Sequence, residues 1–283
     1  MKILVATDFS TRSNRALRQA GLLAQQNKAE LHILHVVDDD QPPEMIRAEK
    51  RETERILNEQ IASVADLENV PSHALVREGD PFDGILRAAG DIGPDLVVMG
   101  SHRKQMLDMF MGTTLERVIR KATFPVLMVN HEAQRSYRRV VVPIDMTDAS
   151  AHALRAALAL RLIGEAGATL LHGFFAAAKG QMLVAGLELG AISEHVANER
   201  QAKTNELTKF LVEKDLVGRW QFRIEEGGPM EIIAKAVEQL QPDLLVMGTH
   251  GRTGLAKALI GSITEEVLRT VSVDILVVPP VSR

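Results

Sequence analysis

An internal repeat constrains the fold of this chain more than any other feature of its sequence. The segment KILVATDFSTRSNRALRQAGLLA (2–24) matches RVVVPIDMTDASAHALRAALALR (139–161), and PDLVVMGSH (94–102) matches PDLLVMGTH (242–250). Other matching segments keep the same order along the chain. Segments that recur in a fixed order indicate repeated copies of one structural unit. We therefore expect two tandem domains of the same fold.

Each copy alternates short apolar strands with helical segments. In the second copy, Thr147 or Asp148 is placed to cap the helix that follows the strand VVVPI, and Pro229 is placed to begin a later helix. Strands that are apolar throughout indicate a parallel sheet covered on both faces, and alternating strands and helices form doubly wound α/β domains. We predict two tandem doubly wound parallel five-stranded sheets, in residues 1–132 and 137–283, with the seam in HEAQRSY.

The composition excludes several classes of protein. The 283 residues include no cysteine, which rules out disulfides, thiolate metal sites and a cysteine nucleophile. A net charge of −4 gives no electrostatic reason to expect binding to nucleic acid or to an anionic membrane. The amino-terminal MKILVATDFS contains an aspartate, unlike a signal peptide, and no apolar run approaches the roughly 18 residues of a membrane helix. We expect a soluble cytoplasmic protein without a membrane span.

A glycine-rich loop, GTHGRTGLAKALIGS (248–262), follows the fourth strand of the second copy and precedes a helix. Glycines let backbone N–H groups approach an anion, and a helix start adds the positive end of its dipole. Ser262 and Thr264 add hydroxyl groups there. In open α/β sheets, ligands bind where the carboxyl ends of the strands diverge, and Asp145 ends the first strand of this copy. The loop therefore predicts a phosphate-binding site.

The loop and the first strand together resemble the universal stress protein family in its tandem form. The pattern G-x2-G-x9-G-[ST] of the family's nucleotide-binding members is matched without a gap by Gly248, Gly251, Gly261 and Ser262. The strand ending VVVPID (140–145) is similar to the family's first strand, and the resemblance covers nearly the whole chain, once per half. It implies a Rossmann-like fold of the adenine nucleotide alpha hydrolase type. It also implies binding of ATP or AMP, with Mg²⁺ carried by the nucleotide.

The same resemblance implies which residues of the second copy would surround the nucleotide. Those on the adenine and ribose side would be Pro143, Ile144 and Asp145. Phe175, with Phe174 as the alternative, would pair with adenine through its backbone. The residues around the ribose and the phosphates would be Met247, Gly248, His250, Gly251, Arg252, Gly261, Ser262, Ile263 and Thr264.

The first copy departs from this pattern. Arg103 stands where the second glycine belongs, and the pair Gly112-Thr113 arrives one residue early. A residue with a Cβ atom is strained wherever the loop needs a positive φ. We expect the second copy to hold nucleotide tightly and the first to hold it weakly or not at all. The candidates for this weaker second site are Asp8, Gly100, His102, Gly112 and Thr113.

Three functions are compatible with these features. The first is a nucleotide-dependent stress-response or regulatory module that passes its state to a protein partner. The second is a slow ATPase or phosphotransferase, for which His250 is the only nearby candidate base and no catalytic constellation is evident. The third is a scaffold that binds a non-nucleotide small molecule or a lipid.

Three further segments carry expectations. His32 and His35 lie three apart on a strand and face opposite sides, so we predict no metal site there. The apolar segment QMLVAGLELGAI (181–192) indicates a helix start packed on its own domain or, alternatively, an exposed patch around Met182, Leu183, Leu187 and Leu189 that binds a partner or covers a second ligand. The family resemblance implies that FPVLMV and VDILVV pair antiparallel between the domains, which makes the chain a pseudo-dimer. A homodimer of the whole chain is a further alternative.

Overall fold

The structure is a computed structural model that describes residues 1–101, 112–132, 135–249 and 260–280. The strands are β1 (Lys2–Ala6), β2 (Glu30–Val37), β3 (Ser72–Glu78), β4 (Leu96–Gly100), β5 (Val126–Val129), β6 (Val140–Pro143), β7 (Ala168–Phe174), β8 (Trp220–Glu226), β9 (Leu244–Gly248) and β10 (Asp274–Val278). The helices are α1 (Thr11–Asn27), α2 (Pro43–Ser63), α3 (Pro81–Ile92), α4 (Thr114–Lys121), α5 (Asp148–Ala159), α6 (Lys179–Val184), α7 (Leu189–Glu213), α8 (Pro229–Leu240) and α9 (Ser262–Thr270).

The described strands form a ten-stranded sheet in the order β3-β2-β1-β4-β5-β10-β9-β6-β7-β8. All pairs within each half are parallel, and only β5 and β10 pair antiparallel, with Leu127 opposite Leu276. Each half is therefore a doubly wound five-stranded sheet. The predicted fold class and the predicted pairing of the terminal strands are confirmed, and the two halves form one continuous sheet.

The core lies on both faces of this sheet because side chains alternate along each strand. On β1, Ile3 belongs to one buried cluster and Leu4 to the other. The first cluster packs against α1, α2, α5 and α7, and the second against α3, α4, α8 and α9. In both clusters, the contacts run across the β5–β10 junction without a break. Within the described part of the chain, no helix has the length and apolarity needed to cross a membrane.

The seam between the halves is fixed by a buried carboxylate at the start of β10. The side chain of Asp274 accepts hydrogen bonds from the backbone N–H groups of Asn130 (2.8 Å) and His131 (3.0 Å) and from the hydroxyl of Tyr137 (2.7 Å). Burial raises the pKa of Asp274, and burial together with the adjacent carboxylate raises the pKa of Tyr137 well above 10.0. Both ends of the connecting segment are thus tied to one residue of the second half.

Local signals in the sequence explain most helix boundaries. Thr147 caps α5 in a capping box with Ser150, and Pro229 occupies the first turn of α8, as predicted. Helix α5 ends earlier than the apolar run ALALRLIG indicates. Arg161 adopts a left-handed φ of 52°, and the N–H of Leu162 turns back to the carbonyl of Ala157 at 2.9 Å.

The apolar segment 181–192 is exposed. Helix α6 has no buried residue, and the exposed fractions of Leu183, Val184 and Leu189 are 52%, 91% and 75%. Of the segment's residues, only Ile192 is buried. The expectation of a packed helix start is therefore wrong for most of the segment, because residues 183–191 are all exposed, and the alternative of an exposed patch describes it.

The turn before β7 requires a glycine, both for its backbone conformation and because a side chain would collide with a neighbouring carbonyl group. Gly167 has a φ of +79°, and a Cβ atom there would lie 1.7 Å from the carbonyl oxygen of Arg219. We expect Gly167→Ala to lower the free energy of unfolding by about 2–4 kcal/mol, measured by urea denaturation. Gly164→Ala is the matched control in the same turn, since a Cβ atom there meets nothing within 4 Å. Equal stabilities of the two variants would contradict this reason for the glycine.

Candidate functional site

The topology creates one crevice in each half. After β3 the chain crosses to the other side of β1 and forms β4, and after β8 it crosses β6 and forms β9. The carboxyl ends of β1 and β4, and those of β6 and β9, therefore diverge, and such divergence points are where α/β sheets bind ligands. Because β5 and β10 are antiparallel, the strands of the two halves point in opposite directions. The two crevices therefore open at opposite ends of the strands.

At the end of β6, Asp145 is held close to the start of α5. Its Oδ1 atom accepts hydrogen bonds from the hydroxyl of Thr147 (2.6 Å) and from the backbone N–H of the same residue (3.2 Å). Met146 lies between them with a left-handed φ of 60°, which turns the chain sharply from strand to helix. Pro143 ends the strand, and the buried Ile144 donates its N–H to Leu171 at 2.8 Å. The structure thus brings Pro143, Ile144 and Asp145 to the mouth of the crevice.

In each half, a histidine contacts the backbone at the end of the first strand, after β6 in the second half and after β1 in the first. Sequence reasoning missed this role. Nδ1 of the buried His172 lies 2.7 Å from the carbonyl oxygen of Ile144, and Nδ1 of His35 lies 2.9 Å from that of Thr7 in the first half. Since a carbonyl only accepts, each Nδ1 carries the proton. The recurrence of histidine at the fifth position of the matching segments LHILHVV (31–37) and ATLLHGF (168–174) was the signal that could have revealed this role.

The two ends of the glycine-rich loop meet at the same crevice. The hydroxyl of Thr264 donates to the carbonyl of Gly248 (2.9 Å), and the N–H of Gly261 donates to the carbonyl of Thr249 (2.6 Å). Helix α9 therefore begins beside the end of β9. Thr264 is buried, and its hydroxyl is already bonded to the loop. Ser262, at the first position of α9, is exposed.

The other predicted residues fall into two groups. Met247 is buried on β9, Ile263 is half-buried on α9, and Phe175 lies just beyond β7 with 72% of its surface exposed. The carbonyl of Phe174, the alternative to Phe175, already accepts the N–H of Gly227 at 3.0 Å. Four predicted residues lie outside the described part of the chain: His102, His250, Gly251 and Arg252.

The first half, in which we expected the weaker site, contains a formed cleft of about 330 Å³. Asp8, Gly100 and Thr113 line this cleft, as does His35. Oδ1 of Asp8 accepts the N–H of Ser10 at 3.0 Å. Burial raises the pKa of Asp8, but hydrogen bonds from serine side chains outweigh that effect, so its pKa lies below the ordinary 3.8. The carboxyl group is therefore ionised at neutral pH and faces a space that can accept a small ligand.

The loop end of the first half is closed differently from that of the second. The N–H of Gly112 donates to Oε2 of Glu116 at 2.9 Å, and Thr113 caps α4 by accepting the N–H of Glu116 at 3.2 Å. In the second half, the N–H of Gly261 bonds to the loop backbone instead. The two copies therefore differ at the helix start that would receive an anion.

The histidines on β2 face opposite sides of the sheet, as their spacing predicts. His35 lines the cleft, whereas the ring of His32 stacks on that of His73 with 5.1 Å between centroids. Over the described ranges, no group of three or more histidine, aspartate or glutamate residues is arranged to hold a metal ion.

Comparison with known proteins agrees with this fold. The model of the universal stress protein family matches residues 1–130 and 136–279. Universal stress protein E of Escherichia coli (strain K12) is 27% identical over 207 residues, which span 71% of this chain and 65% of that protein. The universal stress protein E homolog of Haemophilus influenzae is 24% identical over 221 residues, which span 73% of this chain and 69% of that protein.

A solved structure extends the likeness to the arrangement of both halves. The crystal structure of a universal stress protein from Archaeoglobus fulgidus DSM 4304 superposes with a TM-score of 0.67, covers 98% of each chain and shares 20% sequence identity. At that identity the likeness concerns the fold alone. The family model matches each half separately, and the two matches together cover nearly the whole chain. The chain therefore belongs to the universal stress protein family.

Proposed function

We propose that the second half of this chain binds an adenine nucleotide, ATP or AMP, and that the chain acts as a nucleotide-dependent regulatory module in a stress response. One observation carries the proposal. The ends of the G-x2-G-x9-G-S loop, at Gly248 and Gly261, are joined by hydrogen bonds to neighbouring residues at the crevice where Asp145 is held. We further propose that residues 1–132 and 137–283 are the two structural domains.

The described residues fit the chemistry of a nucleotide. The exposed hydroxyl of Ser262 and the N–H groups of the first turn of α9 are donors for phosphate oxygens, and the helix dipole favours negative charge there. A carboxylate such as Asp145, held by Thr147, accepts hydrogen bonds from ribose hydroxyl groups. Phe175 directly follows β7, where its backbone would pair with adenine. Mg²⁺ would arrive with the nucleotide, and its coordination would come from phosphate oxygens and water.

The test is calorimetry of the purified chain with ATP and with AMP, together with mass analysis of any small molecule that co-purifies. We expect one tight site per chain, because the two helix starts differ as described. Two equal sites would contradict the assignment to the second half, and no binding at all would contradict the function. A co-purified compound of another class would favour the alternative of a non-nucleotide ligand.

The repeat supplies a matched pair of variants for this test. Asp145→Ala should weaken the tight site by about tenfold or more, since a hydrogen bond to a charged acceptor contributes about 1.5–3 kcal/mol. Asp8→Ala removes the equivalent carboxylate of the first half and should leave the tight site unchanged. If Asp8→Ala weakened the tight site and Asp145→Ala did not, the tight site would lie in the first half.

A further inference from the structure

An arginine of the first half contacts the helix start of the second half. Arg120, near the end of α4, forms an ion pair with Glu116 one turn earlier on the same helix. It also donates from Nη2 to Oε2 of Glu265 on α9 at 3.2 Å. The side chains of Arg120 and Glu265 are only 21% and 32% exposed, so solvent screens this contact less than it would screen a surface pair.

Glu265 occupies a sensitive position for anion binding. It lies in the first turn of α9, where its N–H donates to the carbonyl of Gly261 at 2.9 Å. Ser262, the exposed residue that would meet a phosphate, belongs to the same turn. A carboxylate at a helix start interacts favourably with the helix dipole, but it also repels a phosphate that binds there. A partner that neutralises Glu265 therefore favours phosphate binding.

The equivalent acid in the first half has a different role. Glu116 accepts the N–H of Gly112, at the end of the loop in its own half. In the second half, the equivalent N–H of Gly261 donates to Thr249 instead, and Glu265 accepts from Arg120. Arg269 is the repeat equivalent of Arg120. It is exposed, and the described residues include no ion-pair partner for it. The ion pair between the halves therefore joins the arginine of α4 to the glutamate of α9, and the described residues do not include the reciprocal pair.

We propose that Arg120, a residue of the first half, is a positioning residue for the phosphates bound by the second half. It holds the carboxylate of Glu265 against α4 and offsets part of its charge, since Arg120 also pairs with Glu116. The inference rests on the proposed function and adds to it a contribution of one half to the affinity of the other. It predicts an effect on ligands that carry phosphates and none on the nucleoside.

The experiment compares binding of ATP and of adenosine to the full chain by calorimetry at low salt. Arg120→Met should raise the Kd of ATP about three- to tenfold, through one unpaired charge near the phosphates, and should leave the Kd of adenosine unchanged. Arg120→Lys should keep most of the affinity for ATP. Arg269→Met, which removes the same charge from the repeat position, is the matched control and should bind ATP like the native chain.

A second substitution separates charge from packing. Glu265→Gln in the Arg120→Met background should restore the Kd of ATP, because the first turn of α9 then no longer carries the charge of Glu265, while Glu116 on α4 keeps the N–H of Gly112. If Arg120→Met binds ATP as tightly as the native chain, or if the double variant stays weak, the role of Arg120 is refuted while the proposed function stands. If the native chain does not bind ATP at all, the proposed function is refuted and the role of Arg120 with it.

Discussion

Gly251→Arg is expected to weaken ATP binding by about a hundredfold or more, because a long side chain would enter the loop where backbone N–H groups meet the phosphates. Two lost hydrogen bonds to a charged acceptor, each of about 1.5 kcal/mol, suffice for this loss. Arginine is the residue that the first copy has at the matching position, Arg103. Gly251 itself lies outside the described residues, so the expectation rests on the loop pattern and on the hydrogen bonds at the loop ends.

The measurement is calorimetry with ATP, and thermal unfolding checks that the fold survives. Gly254→Ala is the matched control, since Gly254 lies in the same loop but outside the G-x2-G-x9-G-S pattern. We expect this control to bind ATP within about threefold of the native chain. Unchanged affinity in Gly251→Arg would mean that this loop does not form the phosphate site.

Asp274→Ala is expected to lower the free energy of unfolding by about 3–5 kcal/mol, because it leaves one buried and two part-buried donors without an acceptor, at about 1–3 kcal/mol each. The stranded donors would be the N–H groups of Asn130 and His131 and the hydroxyl of Tyr137. Asp274→Asn is the control, since the amide oxygen still accepts the two N–H bonds. We expect it to cost about 1 kcal/mol in urea denaturation. Equal losses in the two variants would show that these hydrogen bonds do not hold the seam.

The same carboxyl group should make stability depend on pH. Burial raises the pKa of Asp274, and this effect exceeds that of the hydrogen bonds that lower it. A group whose pKa is higher in the folded chain contributes stability below its unfolded pKa, and this contribution is lost as pH rises through the folded value. The stability of the native chain relative to Asp274→Asn should therefore fall as pH rises from below 3.8 through the raised pKa, and then level off. A constant difference across this range would contradict the raised pKa.

Features encoded over short stretches of sequence were predictable. The cap at Thr147, the helix start at Pro229 and the apolar strands depend on neighbours within a few residues, and the structure has them where we expected. The end of α5 was not predictable from its apolar run, since the left-handed residue Arg161 has no glycine or proline to announce it. The exposed segment 181–192 was misjudged because apolar character alone does not show whether a surface exists for it to cover.

Unlike the pairing of β5 with β10, the side-chain contacts between the halves were beyond sequence reasoning. Asp274 and Tyr137 are 137 residues apart, and Arg120 and Glu265 are 145 residues apart. No periodic pattern predicts such pairs, because they depend on how two complete sheets meet. The size of the cleft in the first half was unexpected. The sequence comparison concerned the loop between Gly100 and Thr113, which is only one side of this cleft.

The antiparallel junction of β5 and β10 has a consequence for how this molecule can vary. Two separate identical chains joined at such an edge would dissociate on dilution, and any substitution would appear in both crevices at once. Here the segment anchored by Asp274 keeps the partners at a fixed high effective concentration, independent of how much protein is present. Each crevice is also encoded by its own stretch of chain. Substitutions in one of them therefore leave the residues of the other, across the same sheet, unchanged.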